Sequence, residues 1–102
     1  MGEVVSIDHF GNLITNIGED RLVSFLGAGA VAYFIVGGQS IHGLSSSYDS
    51  GRRHLPLAII GSRGAVEIAV NKESAHHRLA VAVGDAVRVV SSPTKGQRGG
   101  ER

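Results

Sequence analysis

The stretch Ala30-Val31-Ala32-Tyr33-Phe34-Ile35-Val36-Gly37-Gly38-Gln39-Ser40-Ile41-His42-Gly43-Leu44 decides the fold. Two runs containing β-branched and aromatic residues flank a Gly-Gly pair, and glycine accepts the positive φ angles that a two-residue hairpin turn needs. Ala30–Val36 and Gln39–Leu44 are therefore expected to be antiparallel strands joined at Gly37-Gly38.

Working outward, the same period of two recurs along the chain, while sustained 3.6-residue periodicity is nearly absent. In Glu3–Asp8, Val5 and Ile7 face opposite to Val4, Ser6 and Asp8, and Asn12–Ile17 sets Leu13, Thr15 and Ile17 against Asn12, Ile14 and Asn16. Pro56–Ile60 and Ala65–Val70 flank Gly61-Ser62-Arg63-Gly64, and Asp85–Val90 reads as a last strand. Gly18–Leu26 (GEDRLVSFL) is the best helix. Glu19 and Asp20 suit its first turn, Leu22, Phe25 and Leu26 form a face, and Gly27 stops it. A short turn or helical piece is expected between Asn71 and Leu79, and Ser45–Leu55 reads as a polar loop. The sum is an all-β domain, a small antiparallel β-barrel of about seven short strands with one short helix.

The 102 residues suffice for one domain, expected over residues 1–90, with 91–102 as a disordered basic tail rich in glycine and charge. A chain of this size buries about 60–65% of its unfolded surface, enough for a small core. No cysteine is present, which excludes disulfides, thiolate metal sites and a cysteine nucleophile, and fits a reducing, cytoplasmic setting. No apolar run nears a membrane span, and Met1-Gly2-Glu3 is not the basic start of a signal peptide.

The formal net charge is +1, but Lys95, Arg98 and Arg102 against Glu101 give the tail +2, so seven bases and eight acids leave residues 1–90 at −1. That balance argues against a basic nucleic-acid domain. Three Phe and two Tyr are the only aromatics, so their placement is informative.

Several motifs have plain structural explanations. Gly27-Ala28-Gly29-Ala30 leads into a strand, so no helix N-terminus would meet a phosphate there. His76-His77 are adjacent and read as surface residues with their rings pointing apart; even with Glu73 nearby they do not make a closed metal site. Arg52-Arg53 could contact an anion but reads more simply as a solvated loop face, and Glu67 reads as a polar position on one face of a strand. No Ser-His-Asp order is arguable among so many serines.

Two segments carry more. Ile7-Asp8-His9-Phe10-Gly11-Asn12-Leu13-Ile14-Thr15-Asn16-Ile17 gathers an acid, an aromatic and an amide around a glycine between two strands. An asparagine amide can pair with adenine, an aromatic ring can stack on it, and an aspartate suits an ammonium or a ribose hydroxyl. A hairpin in which Asp8 and Asn12 satisfy turn amides explains the same spacing. The second segment, Ile60-Gly61-Ser62-Arg63-Gly64, offers amides, a hydroxyl and a guanidinium, a receptor for a carboxylate that is equally an ordinary tight turn.

Together these blocks resemble the C-terminal domain of the S-adenosyl-L-methionine hydroxide adenosyltransferases (SAM hydrolases), a family that includes the fluorinase and chlorinase enzymes. The resemblance runs from Gly2 to about Val90. It rests on Asp8-x-Phe10-Gly11-Asn12-x-x-Thr15-Asn16-Ile17, Tyr48-Asp49, Gly61-Ser62-x-Gly64 with Glu67-Ile68-Ala69-Val70-Asn71, and Gly84-Asp85-x-Val87.

By that resemblance, Asn12 would hydrogen-bond adenine, Phe10 and Tyr48 would line its faces, and backbone groups from Val70 to Lys72 would complete its edge. Asp8 would take the methionine ammonium, and Ser62 and Arg63 the carboxylate. Ile14 and Val70 replace a larger aromatic and an arginine of the fluorinase, which favours the hydroxide-using branch.

Family members join an N-terminal α/β domain to this barrel and assemble as homotrimers, with substrate held between neighbouring subunits. The resemblance implies hydrolysis of S-adenosyl-L-methionine, a substrate and not a resident cofactor, to adenosine and methionine. No catalytic residue is expected in this chain, because the family's water-activating groups belong to the N-terminal domain. Met1 directly ahead of the first motif reads as a cut at a domain boundary. Two other classes fit the strand-rich pattern: a module for single-stranded nucleic acid, and a domain that docks a protein partner through exposed apolar surface.

Overall fold

In the computed structural model, residues 2–27, 30–45 and 55–93 are described, with the side chain of Pro93 left aside. The elements are β1 (Gly2–Ile7), β2 (Leu13–Gly18), α1 (Glu19–Leu26), β3 (Ala30–Val36), β4 (Gln39–His42), β5 (Pro56–Ile60), β6 (Ala65–Val70), α2 (Ala75–Leu79) and β7 (Ala86–Pro93). All strand pairs are antiparallel, in the order β4-β3-β7-β1-β2-β6-β5. The edges β4 and β5 approach each other, and Ser45 N just past β4 donates to Ala58 O of β5 at 2.7 Å. The result is a nearly closed seven-stranded barrel with two short helices.

The hairpin that set the fold forms as its sequence demands. Val36 pairs with Gln39, and Gly37 and Gly38 have φ of 58° and 76°, the positive pair of a type I′ turn. Inward residues alternate along β3 as Ala32, Phe34 and Val36, and join Val4, Leu13, Ile17, Val66, Ile68 and Val87 in one core. On the opposite face of β5 and β6, Leu57, Ile59 and Ala69 form a second buried cluster. These two strands are buried on both faces, which explains the unbroken apolar run Leu57–Ile60.

That double burial changes the status of Glu67. The polar strand position it occupies is a buried one, only 7% exposed, and it lies against the backbone of Gly61.

Three other expectations shift. In α1, Leu22 is buried and Leu26 half-buried, but Phe25 is 57% exposed. At 100° per residue, Val23 and Phe25 each stand about 80° off the Leu22–Leu26 direction, so a short helix packed by two leucines leaves both on its flanks. The piece after β6 resolves into a tight turn followed by a second helix, α2. The last strand runs on past Val90 to Pro93, because Ala30–Ala32 of β3 continue to pair with Ser91–Pro93.

Candidate functional site: a cleft between the first hairpin and the end of the sixth strand

Asp8 through Asn12 connect β1 to β2. Gly11 N donates to Asp8 O at 3.0 Å and Gly11 has φ 86°, a β-turn with aspartate first and glycine last, as those residue types favour. The Asp8 carboxylate holds the turn from inside. Its Oδ1 accepts from Phe10 N and Asn12 N, both at 2.9 Å, and its Oδ2 accepts from Asn12 Nδ2 at 3.1 Å. With the backbone peptides bent inward onto Asp8, Phe10 projects at the tip, 75% exposed, with its ring edge-to-face with His9 at 5.3 Å.

Gly11 sets this turn against the far end of β6. A Cβ built on Gly11 would stand 2.6 Å from Ser74 Cβ, so only glycine permits the approach. Gly11 O accepts from His76 N at 2.9 Å. Ser74 caps α2 by accepting from His77 N at 3.2 Å, and His76 Nδ1 lies 2.6 Å from Val81 O. A carbonyl only accepts, so His76 must carry its proton on Nδ1. His76 is thus a tie between α2 and the segment after it. The rings of His76 and His77 lie 4.9 Å apart, tilted by 40°, instead of pointing apart, because a helix rotates neighbours by about 100° and not the 180° of a strand. Glu73 Oε1 lies 4.0 Å from Arg78 Nε. Among the described residues, no three His, Asp or Glu are grouped to hold a metal.

Between β6 and α2, Glu73 N donates to Val70 O at 3.0 Å, and Lys72 has φ 67°. Positive φ at the third position only is the signature of a type II turn, where glycine is usual and lysine is strained. This strained turn and the Asp8–Asn12 turn form two walls of a cleft of about 620 Å³, lined by Asp8, Phe10, Asn12 and the run Ala69–Ser74. The cleft offers an exposed ring, an amide, a carboxylate and a stretch of backbone. That set suits a flat heterocycle with hydrogen-bonding edges.

Of the residues singled out from sequence, Asp8, Phe10, Asn12, Val70 and Lys72 all line this cleft. Ser62 and Arg63 do not. They are exposed in the turn that opens β6, roughly 17 Å along the strand from Val70. Tyr48 and Asp49, Arg52-Arg53, Ala28-Gly29 and the chain beyond residue 93 lie outside the described residues. Glu73 and Ser74 were missed. A serine directly ahead of a helical segment is a capping signal that would have found Ser74.

Thr15 and Asn16, in the same sequence block as Asn12, serve the strands. The β2–β6 register shifts between Ile14 and Gly18, and there Thr15 Oγ1 donates to Val66 O at 2.7 Å and accepts from Ile17 N at 3.1 Å. The β1–β2 register shifts between Val4 and Ser6, and nearby Asn16 Oδ1 accepts from Glu3 N at 2.8 Å. Asp85 Oδ2 accepts from Ala82 N at 2.9 Å, so Gly84-Asp85 is a turn ahead of β7.

Fold and cleft together define a small antiparallel barrel with a recess between its first hairpin turn and the end of β6. Residues 2–88 match the family described as the SAM hydroxide adenosyltransferase C-terminal domain, and the chain belongs to that family. It is 33% identical over 89 residues to (R)-S-adenosyl-L-methionine hydrolase of Thermus thermophilus, covering 87% of this chain and 31% of that protein. Two solved structures share the fold at 31% identity over 87% of this chain. One is a conserved hypothetical protein of Thermus thermophilus (TM-score 0.68, 34% of that chain), the other an uncharacterized conserved protein of Thermotoga maritima (TM-score 0.71, 35% of that chain). The chain thus spans about a third of the length of these relatives.

Proposed function

We propose that this barrel binds the adenosyl group of S-adenosyl-L-methionine and forms the substrate-holding part of a hydroxide adenosyltransferase, which hydrolyses that substrate to adenosine and methionine. The single observation that carries the reading is the cleft itself, where Asp8–Asn12 and Val70–Lys72 meet across two distant parts of the chain. In this reading adenine stacks on Phe10 and pairs with Asn12, while backbone groups of the Val70–Glu73 turn satisfy its remaining edge. Ser62 and Arg63 receive the methionine carboxylate at the other end of β6, and the ammonium on the same carbon lies there with it, so Asp8 serves the adenine end of the substrate by holding Asn12.

In the family reaction a water or hydroxide attacks C5′, the C5′–sulfur bond breaks, and its electron pair leaves on the neutral thioether of methionine. The departing sulfur needs no proton, so catalysis rests on positioning the nucleophile and on excluding bulk water around the cation. The barrel contributes substrate position. The groups that orient water belong to the partner domain that the family places opposite it, within a homotrimer. The near-neutral charge of residues 1–90, −1 once the tail is set aside, fits a small zwitterionic substrate better than a polyanion.

Titration of the chain with adenosine, read by calorimetry or ligand-detected NMR, tests the reading. Asn12→Ala is expected to weaken binding by about tenfold, the loss of one good base-edge contact. Equal binding by both proteins removes Asn12 from the site.

A further inference from the structure

The Asp8–Asn12 pair decides which end of the asparagine amide is offered to a ligand. A carboxylate accepts and never donates, so the amide atom 3.1 Å from Asp8 Oδ2 is Nδ2. The carboxylate cannot rotate away, because its other oxygen is held by Phe10 N and Asn12 N at 2.9 Å each. Asn12 lines the cleft, and its side-chain hydrogen bond among the described residues is the one from Nδ2 to Asp8. One of the two Nδ2 hydrogens is taken by Asp8, which fixes the orientation of the amide, so Oδ1 with the second N–H beside it is the edge left for an incoming base.

We propose that Asp8 is a positioning residue that sets the base selectivity of the cleft: by holding Asn12 Nδ2, it commits Asn12 Oδ1 to a purine bearing a 6-amino donor and turns away a 6-oxo purine. This rests on the adenosyl-binding reading above. Adenine places an N6–H against Oδ1, whereas hypoxanthine places O6 there, acceptor against acceptor. The role uses three of the about four acceptor positions of the carboxylate, so an ammonium contact would have to use the one remaining.

The substitution that isolates the effect is Asp8→Asn. The new amide oxygen takes over the two backbone N–H groups, which keeps the turn. The new NH2 then faces Asn12 and drives its amide to flip, putting a donor into the cleft. Adding Asn12→Asp restores an acceptor there, since an aspartate at 12 accepts from the amide at 8 and still presents oxygen to the base.

The measurement is an NMR titration of the 15N-labelled full chain with adenosine and with inosine. The wild type is expected to favour adenosine by about tenfold or more. Asp8→Asn is expected to bring the two nucleosides within about twofold, or to reverse them, while the Asn12 side-chain amide resonances shift. The double variant Asp8→Asn/Asn12→Asp is expected to recover the adenosine preference. Equal affinity of the wild type for both nucleosides overturns the inference and leaves adenosyl binding standing. An unchanged preference in Asp8→Asn does the same. Binding of neither nucleoside by the wild type overturns the adenosyl-binding reading itself. If Asp8→Asn does not give a dispersed spectrum, the double variant carries the test, and its failure to prefer adenosine overturns the proposal.

Discussion

Gly11 shows how one residue without a side chain can place several that have them. Its positive φ closes the Asp8 turn, its carbonyl accepts from His76 N, and its missing Cβ lets Ser74 approach. Gly11→Ala meets a backbone penalty of about 1–2 kcal/mol for the left-handed conformation and a collision with Ser74 besides. The expected result is a loss of at least about 2 kcal/mol in denaturant unfolding, together with shifted Phe10 and Asn12 amide resonances. A variant with wild-type stability and spectrum would show that the two turns do not depend on this approach. The chemical types in this region were legible from sequence: an acid, an aromatic and an amide around a glycine. How Asp8 and Asn12 divide their hydrogen bonds was not. Asp8 does satisfy turn amides, as the hairpin account required, and in doing so leaves Asn12 at the cleft with one end unspent.

At the level of strands, hydrophobic alternation and glycine pairs were sufficient for most boundaries. Ala30–Val36, Pro56–Ile60 and Ala65–Val70 form over the residues their patterns marked. The register shifts were invisible, because a bulge depends on what the neighbouring strand offers and not on local alternation. Thr15 is the clearest case, buried at a place where the β2–β6 ladder loses its regular pairing. Thr15→Val keeps the shape and the β-propensity but leaves Val66 O and Ile17 N without that partner. Unsatisfied buried groups cost about 1–3 kcal/mol each, so with two of them Tm is expected to fall by at least roughly 10 °C for a domain of this size. A change within a few degrees would mean that the strands re-pair across the bulge. The burial of Glu67 and the exposure of Phe25 were hidden for a related reason: period and helical phase say which way a side chain points, but not what covers it.

Across the whole molecule, the proposed substrate has two anchoring regions at opposite ends of β6. The cleft holds Asn12 and the Val70–Glu73 turn, while Ser62 and Arg63 sit in the exposed turn before Ala65. Arg63→Ala is therefore expected to weaken S-adenosyl-L-methionine by about three- to tenfold, as befits a solvent-screened charge contact, and to leave adenosine binding unchanged. Equal effects on both ligands, or none on either, would remove Arg63 from the carboxylate site. The sequence by itself determined the class of fold, the hairpins and the family, because side-chain period, turn chemistry and ordered motifs are properties of neighbouring residues. Only the tertiary structure decided that Asp8, Phe10 and Asn12 share a cleft with Val70–Ser74 while Ser62 and Arg63 stand apart. It alone also decided that Thr15 and Asn16 serve the strands. The physical reason is that a site made by two turns exists only once antiparallel pairing has brought them together. Which polar atoms remain free there depends on the hydrogen bonds that the folded chain has already made.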